Sequence, residues 1–168
     1  MMGNNALLRE SQCPPDLFAE LCASLLQAGT SIRFSAQGDS MLPSLRSGDT
    51  LICEPVEGRQ LRVGDVVFFI TADGQGIFHR IIRTRRQNAS PFFLVQADNA
   101  LKPDGWKSAG EILGRVNHIT RASGTKEDMG TFKMSLLNRW AAFRSRSKLN
   151  RFRRLRAWEH GFIQALGR

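Results

Sequence analysis

Between Asp16 and Gln27 apolar residues recur at helical spacing, with Leu17, Leu21 and Leu25 four apart, Pro14-Pro15 ahead of them and Gly29 behind. This spacing predicts a helix over 16–27 that ends on Gly29 in left-handed backbone. From about Ser31 to Arg121 the pattern becomes short runs of Val, Ile and Phe broken by Gly-Asp and Asp-Gly pairs. It predicts six strands, at 31–37, 49–54, 64–70, 76–86, 91–97 and 111–120, with a hairpin turn at Asp73-Gly74. Strands with no helix between them argue for a mainly β, small antiparallel domain and against a βαβ sheet. Beyond Phe132, residues Leu136, Trp140 and Phe143, then Phe152, Leu155, Phe162 and Leu166, return to helical spacing among arginines. They predict one long or two short amphipathic helices. The organisation read from the pattern is an N-terminal segment and helix (1–29), a β domain (30–123), a linker (124–130) and a basic amphipathic helical tail (131–168).

Charge changes this picture only at its end. Residues 131–168 hold ten Lys and Arg against one acid, Glu159, and so carry the whole formal net charge of +9; the other 130 residues hold 14 of each sign. The β domain therefore offers no electrostatic footprint for nucleic acid, which is not expected as a partner. The tail sets Trp140, Phe143, Phe152, Trp158 and Phe162 among its arginines, a composition suited to an anionic membrane surface, or to docking on the β domain. At 168 residues the chain is long enough for one buried core. The three cysteines (Cys13, Cys22, Cys53) form no C-x-x-C pair, and no two of His79, His118 and His160 stand at metal-ligand spacing. A disulfide framework, a metal site and a cofactor are not expected, and a reducing compartment is. No apolar run reaches 18 residues and the first residues lack the charge and hydrophobicity of a secretory signal. The expected location is cytoplasmic, peripheral at the inner face of the membrane if the tail binds it.

Two stretches carry candidate chemistry. The first is Gly38-Asp39-Ser40-Met41-Leu42-Pro43-Ser44-Leu45-Arg46-Ser47-Gly48-Asp49, followed by Gly64-Asp65-Val66-Val67. A serine nucleophile must be exposed, fixed and next to a base, and Gly38, Pro43 and Gly48-Asp49 supply the turns that fix one. Gly-Asp-Ser alone reads as a polar turn. The second stretch is Ile77-Phe78-His79-Arg80-Ile81-Ile82, in which period-two geometry places His79 with Ile77 and Ile81, and Phe78 with Arg80 on the other face. An imidazole titrates near neutrality and suits proton transfer there. Positions 50–101 contain no lysine, which excludes a Ser-Lys arrangement on this strand.

The ordered string Ser-Met-x-Pro-Ser-Leu-x-x-Gly-Asp, the Gly-Asp-Val-Val strand start and the His-Arg-Ile run together resemble the signal peptidase I and LexA-like serine peptidase superfamily. The closest likeness is to its Ser-His branch, the endoplasmic-reticulum and archaeal signal peptidases. The likeness covers roughly residues 30–120 and implies a barrel-like β core. It implies Ser40 as nucleophile and His79 as base. The segment Gln96-Ala97-Asp98-Asn99-Ala100-Leu101-Lys102-Pro103-Asp104 resembles the aspartate box of that family. The resemblance gives Asp104 the task of orienting His79 and Asp98 that of supporting the loop. Gly38 stands where signal peptidases often have Ser, as in the LexA-like repressors, so the oxyanion would rest mainly on backbone N–H groups, that of Ser40 included. The implied activity is a serine endopeptidase acting on a peptide or protein through an acyl-enzyme. Two other readings stand beside it. One is self-cleavage at Ala28-Gly29. The other is an inactive peptide-binding module anchored by its tail.

Overall fold

Pro15 opens the single α-helix among the described residues, α1 (Pro15–Gln27), in a computed structural model that describes residues 6–7 and 15–129. Its buried stripe is Phe18, Cys22 and Leu26, four apart, with Ala19 beside it. The expected Leu17-Leu21 stripe faces outward instead, at 55% and 42% exposure. Apolar residues run nearly all round this helix, and the aromatic Phe18 with the small Ala19 and Cys22 fits closer to the sheet than a row of leucines. The helix ends in a Schellman arrangement: the Thr30 N–H donates to Leu25 O (2.9 Å) and the Gly29 N–H to Leu26 O (3.0 Å), with Gly29 at φ +83° as its sequence predicts.

Among the described residues nine strands form one sheet: β1 (Ala6–Leu7), β2 (Ile32–Ser35), β3 (Thr50–Pro55), β4 (Val66–Ile70), β5 (Gly76–Gln87), β6 (Ser90–Gln96), β7 (Gly105–Ser108), β8 (Ile112–Thr120) and β9 (Lys126–Asp128). The order is β1-β2-β3-β8-β4-β5-β6-β7, with β9 on the far part of β8. Every pairing is antiparallel except β1 with β2. The expected mainly β, antiparallel fold is present, but β1 and β7 stand at opposite ends and the sheet does not close as a barrel. Instead of one interior, the sheet has two packed sides. In β4, Val66 and Phe68 join α1, Phe34, Leu51 and Ile119 in one apolar cluster, while Val67 and Phe69 join Ile81, Phe93, Val95 and Ile112 in another.

All six expected strands are present within a few residues of their expected ends, and the Thr71–Gln75 turn contains Gly74 at φ +83°. Three strands escaped the pattern. β7 is Gly-Trp-Lys-Ser and β9 is Lys-Glu-Asp, neither with the apolar alternation of a strand, and each extends only because a longer neighbour pairs with it. β9 lies inside 124–130, so this stretch is partly woven into the sheet and not a free linker. β1 is two residues long. Cys13, His160 and the tail 131–168 lie outside the described residues. No helix of the described residues is long and apolar enough to cross a membrane.

Gly114 shows how tightly α1 sits on the sheet. A Cβ there would stand 2.6 Å from Cys53 Sγ, 2.9 Å from the Glu54 carbonyl oxygen and 3.2 Å from a Leu26 methyl. The carbonyl belongs to the paired strand β3 and cannot withdraw. Gly114→Ala is therefore expected to lower stability by about 1–3 kcal/mol. Gly110→Ala, where an added Cβ meets nothing within 4 Å, should change it by less than about 0.5 kcal/mol. Urea unfolding of the two variants checks the contrast.

Candidate active site

Ser40 follows β2 in a tight turn whose two ends are tied down. On the inner side, Met41 and Leu45 are buried at 5% and 4% exposure in the α1-side cluster, leaving Ser40 exposed between them and Gly38. Within the turn, the Leu42 N–H donates to Asp39 O (3.1 Å) and the Leu45 N–H to Met41 O (3.0 Å), and the Leu42-Pro43 bond is cis. Gly38 holds φ +74°, which a side chain would oppose on conformational grounds, since nothing lies within 4 Å of its would-be Cβ. The Asn99 N–H donates to Ser40 O (2.9 Å), tying the turn to the loop between β6 and β7.

The far end of the turn is fastened by charge. Arg121 Nη1 donates to Ser44 O and to Asp49 Oδ2, both at 2.8 Å, while its Nε and Nη2 donate to Glu127 at 2.9 and 2.6 Å. Asp49 also accepts from the Arg46 N–H (3.0 Å), and its own carbonyl accepts from the Ala36 N–H (2.7 Å). Burial alone would raise the Asp49 pKa, but the Arg46 N–H, the Arg121 guanidinium and the Ala122 N–H outweigh it and hold the carboxyl below its ordinary value. Arg121 likewise holds Glu127 below the usual carboxylate range. Asp65, in the turn before β4, is raised by burial, which its Arg62 N–H bond only partly offsets.

His79 sits on β5 opposite Val67 of β4, buried at 8% exposure, with its ring edge-on to Phe69 at 6.2 Å. It lies on the face expected for it, with Ile77 and Ile81. Its Nδ1 is 2.7 Å from Asp104 Oδ2, a contact between residues 25 positions apart. Against an ionised carboxylate that nitrogen carries the proton, so Nε2 is left as the acceptor. Asp104 is placed by its own N–H, which donates to Val95 O (3.0 Å).

Asp98 is elsewhere. It is buried at 2% exposure and receives Arg80 Nε and Nη2, both at 2.8 Å, while Arg80 Nη1 donates to Gly64 O at 2.7 Å. Arg80 is fully buried next to His79 in the chain. Its charge in an apolar strand was the available sign that an acid must face it, because an unpaired buried guanidinium is too costly. Sequence reasoning placed Arg80 on the correct face and missed its partner. Gln96, also fully buried, donates Nε2 to Ala100 O (2.8 Å) and so braces the same loop.

Ser40 and His79 line one cavity of about 150 Å³, together with Gly38 and an apolar wall that includes Phe34, Met41, Phe68 and Phe78. Phe34 anchors that wall, with its ring 4.8 Å from Phe78 and 5.3 Å from Phe68. No hydrogen bond joins the Ser40 hydroxyl to another described residue; active-site contacts of this kind often tighten only around a substrate. His118 is exposed on β8, away from any role in this cavity.

A family model described as Peptidase S24-like matches residues 14–117, more than half of the chain. The chain belongs to the Peptidase S24-like family, which places it in the LexA and signal peptidase superfamily of serine peptidases. No curated protein matches it.

Two expected outcomes follow from these contacts. Arg80→Met removes the guanidinium that compensates Asp98 and should destabilise the fold by about 3–5 kcal/mol, whereas Arg80→Met with Asp98→Leu should recover much of that loss in urea unfolding. The second concerns acid. Asp49 and Glu127 have lowered pKa values, so their contribution is present above the ordinary carboxylate range and lost as pH falls through it, from about 4.5 downward. Arg121→Met should therefore cost stability at pH 7 and flatten the decline between about pH 5 and 3. Asp65 has the opposite sign, but it is present in both proteins and cancels in the comparison.

Proposed function

We propose that this member of the Peptidase S24-like family is a serine endopeptidase of the Ser-His type, resembling the endoplasmic-reticulum and archaeal signal peptidases. The observation that carries the reading is the 2.7 Å contact of His79 Nδ1 with Asp104, on a cavity whose wall also holds the exposed Ser40. Ser40 Oγ attacks the carbonyl carbon of a peptide seated in that cavity and passes its proton to His79 Nε2. Asp104 holds the ring in the tautomer this requires and stabilises the imidazolium that forms. The carbonyl oxygen becomes an oxyanion against backbone N–H groups of the Ser40 turn, since Gly38 offers no hydroxyl there. Collapse breaks the C–N bond, and the amine leaves with the proton from Nε2. Water then enters by the same base and releases the acyl group. Asp98 acts at a distance: through Arg80 it holds the loop that delivers Asp104 and grips the Ser40 carbonyl. The aromatic wall favours an apolar side chain of the substrate next to the scissile bond. The basic residues 131–168 fit attachment to an anionic membrane surface, with a cytoplasmic, peripheral location for the enzyme.

Family membership also favours a second reading, self-cleavage of the LexA type. Ala28-Gly29 has suitable residue types, but it lies in the hydrogen-bonded cap of α1, which would have to unwind before the bond could reach Ser40. An active-site acylating probe separates these readings from a non-catalytic peptide-binding module. A fluorophosphonate is expected to add its mass to Ser40 in the intact chain. The adduct should be absent in Ser40→Ala and His79→Ala, and should form on the order of 10⁴-fold more slowly in Asp104→Asn. Labelling of His79→Ala at the parent rate, or no adduct anywhere between pH 6 and 9, would sink the endopeptidase reading. A fragment beginning at Gly29, seen with the parent and absent with Ser40→Ala, would establish self-cleavage.

A further inference from the structure

The strand that carries His79 has a second half with different surroundings. β4 pairs with β5 only from Gly76 to Arg80, whereas β6 follows β5 out to Gln87. Beyond Ile82 the β5–β6 hairpin therefore extends past β4, its turn closed by Asn88 and Ala89 at φ +49° and +64°. This extension is strongly basic, a local patch that the net neutrality of the first 130 residues does not reveal and that corrects the expectation of a β domain without an electrostatic footprint. Residues 76–96 contain four arginines and no acid. Arg80 is committed to Asp98, but Arg83, Arg85 and Arg86 make no ion pair among the described residues, and Arg85 and Arg86 are exposed.

The register sorts these cations. Arg83 stands opposite Leu94 and Arg85 opposite Phe92, and Trp106 of β7 pairs with Leu94, so both arginines share a face with two half-buried aromatic rings. The Arg85 guanidinium lies 4.3 Å from the Trp106 ring centroid and 5.6 Å from that of Phe92. A guanidinium resting on two rings is held in place, and its edge N–H groups stay free to donate, the geometry that suits a phosphate oxygen. The same stacking covers the ring faces on which a nucleobase would lie, which disfavours single-stranded nucleic acid. The cations also sit on the edge of β5 that β4 leaves unpaired, beside β6 and β7. Aromatic rings at the level of unpaired arginines are what a membrane interface takes up, with rings at the headgroup boundary and guanidiniums on the phosphates.

We propose that the Arg83-Arg85 hairpin face, with Phe92 and Trp106, is a docking surface for the phosphate headgroups of an anionic lipid bilayer. It is built from residues of the described fold and not from residues 131–168, and it does not depend on the hydrolase reading.

The test is flotation of the full chain with vesicles of equal parts phosphatidylglycerol and phosphatidylcholine, beside vesicles of phosphatidylcholine alone. The parent should float with the first and not the second. Replacing Arg83 and Arg85 together by Gln should weaken partitioning roughly fivefold per charge, about 25-fold in all, with the urea midpoint and fluorophosphonate labelling unchanged. The double Lys variant keeps the charge and should retain most of the binding. Equal flotation of the Gln variant and the parent would overturn the proposal and leave any binding to the tail. So would full release by inorganic phosphate, which would mark a free-phosphate site, or tighter binding of a polyglutamate peptide than of the vesicles.

Discussion

The Arg80–Asp98 pair is the contact on which the candidate site depends. It joins two segments that each supply one end of the site: Arg80 follows His79 directly, and Asp98 starts the loop that carries Asn99 to the Ser40 carbonyl and Asp104 to His79. Because Arg80 is fully buried and grips both carboxylate oxygens, the loop has one register against β5. A hydrophobic pair could fill the same space with comparable stability, but it would not set direction, since apolar contacts are tolerant of small slides. Placing a carboxylate 2.7 Å from one ring nitrogen across 25 residues demands that direction.

Around this centre the site is held from three sides by different kinds of force. Met41 and Leu45 sink the Ser40 turn into the apolar cluster, the Asn99 N–H holds its carbonyl, and Arg121 draws Ser44 and Asp49 together at the rear. Only the rear fastening depends on carboxylates with lowered pKa values. The turn is thus expected to loosen from the Arg121 end in acid while its buried end stays packed. Ser40 stays exposed because both its neighbours in space are spoken for, by the core on one side and by a loop on the other.

What could be read from the sequence was what is written locally. Alternation marked six of the strands and the mainly β class, and Gly29 and Gly74 marked turns whose positive φ the backbone adopts. The string around Ser40 and the His-Arg-Ile run pointed to two residues that share a cavity, and the aspartate box to one that touches His79. The misreadings are all long-range. Lys126–Asp128 has no strand character of its own and is extended by its pairing with β8. The outward turn of Leu17 and Leu21 is decided by what the sheet can accept, which the helix sequence does not contain. The partner of Asp98, Arg80 18 positions earlier, is legible in neither segment, because only the register of β5 against β6 brings the two together.

That register also ties the two halves of β5 together mechanically. Pairing with β6 runs from Arg80 to Gln87 with one irregularity at Ile82, so the outer half of the strand moves with the residue beside His79. Six residues of strand separate His79 from Arg85, about 20 Å at the usual rise. Any surface that holds Arg85 and Trp106 therefore fixes how far His79 stands from it, and on which side the cavity opens. A flexible tether concentrates an enzyme near a surface without orienting it. A paired strand does both, and a short reach of this kind would favour bonds lying within a few residues' length of that surface over the same bonds in free solution.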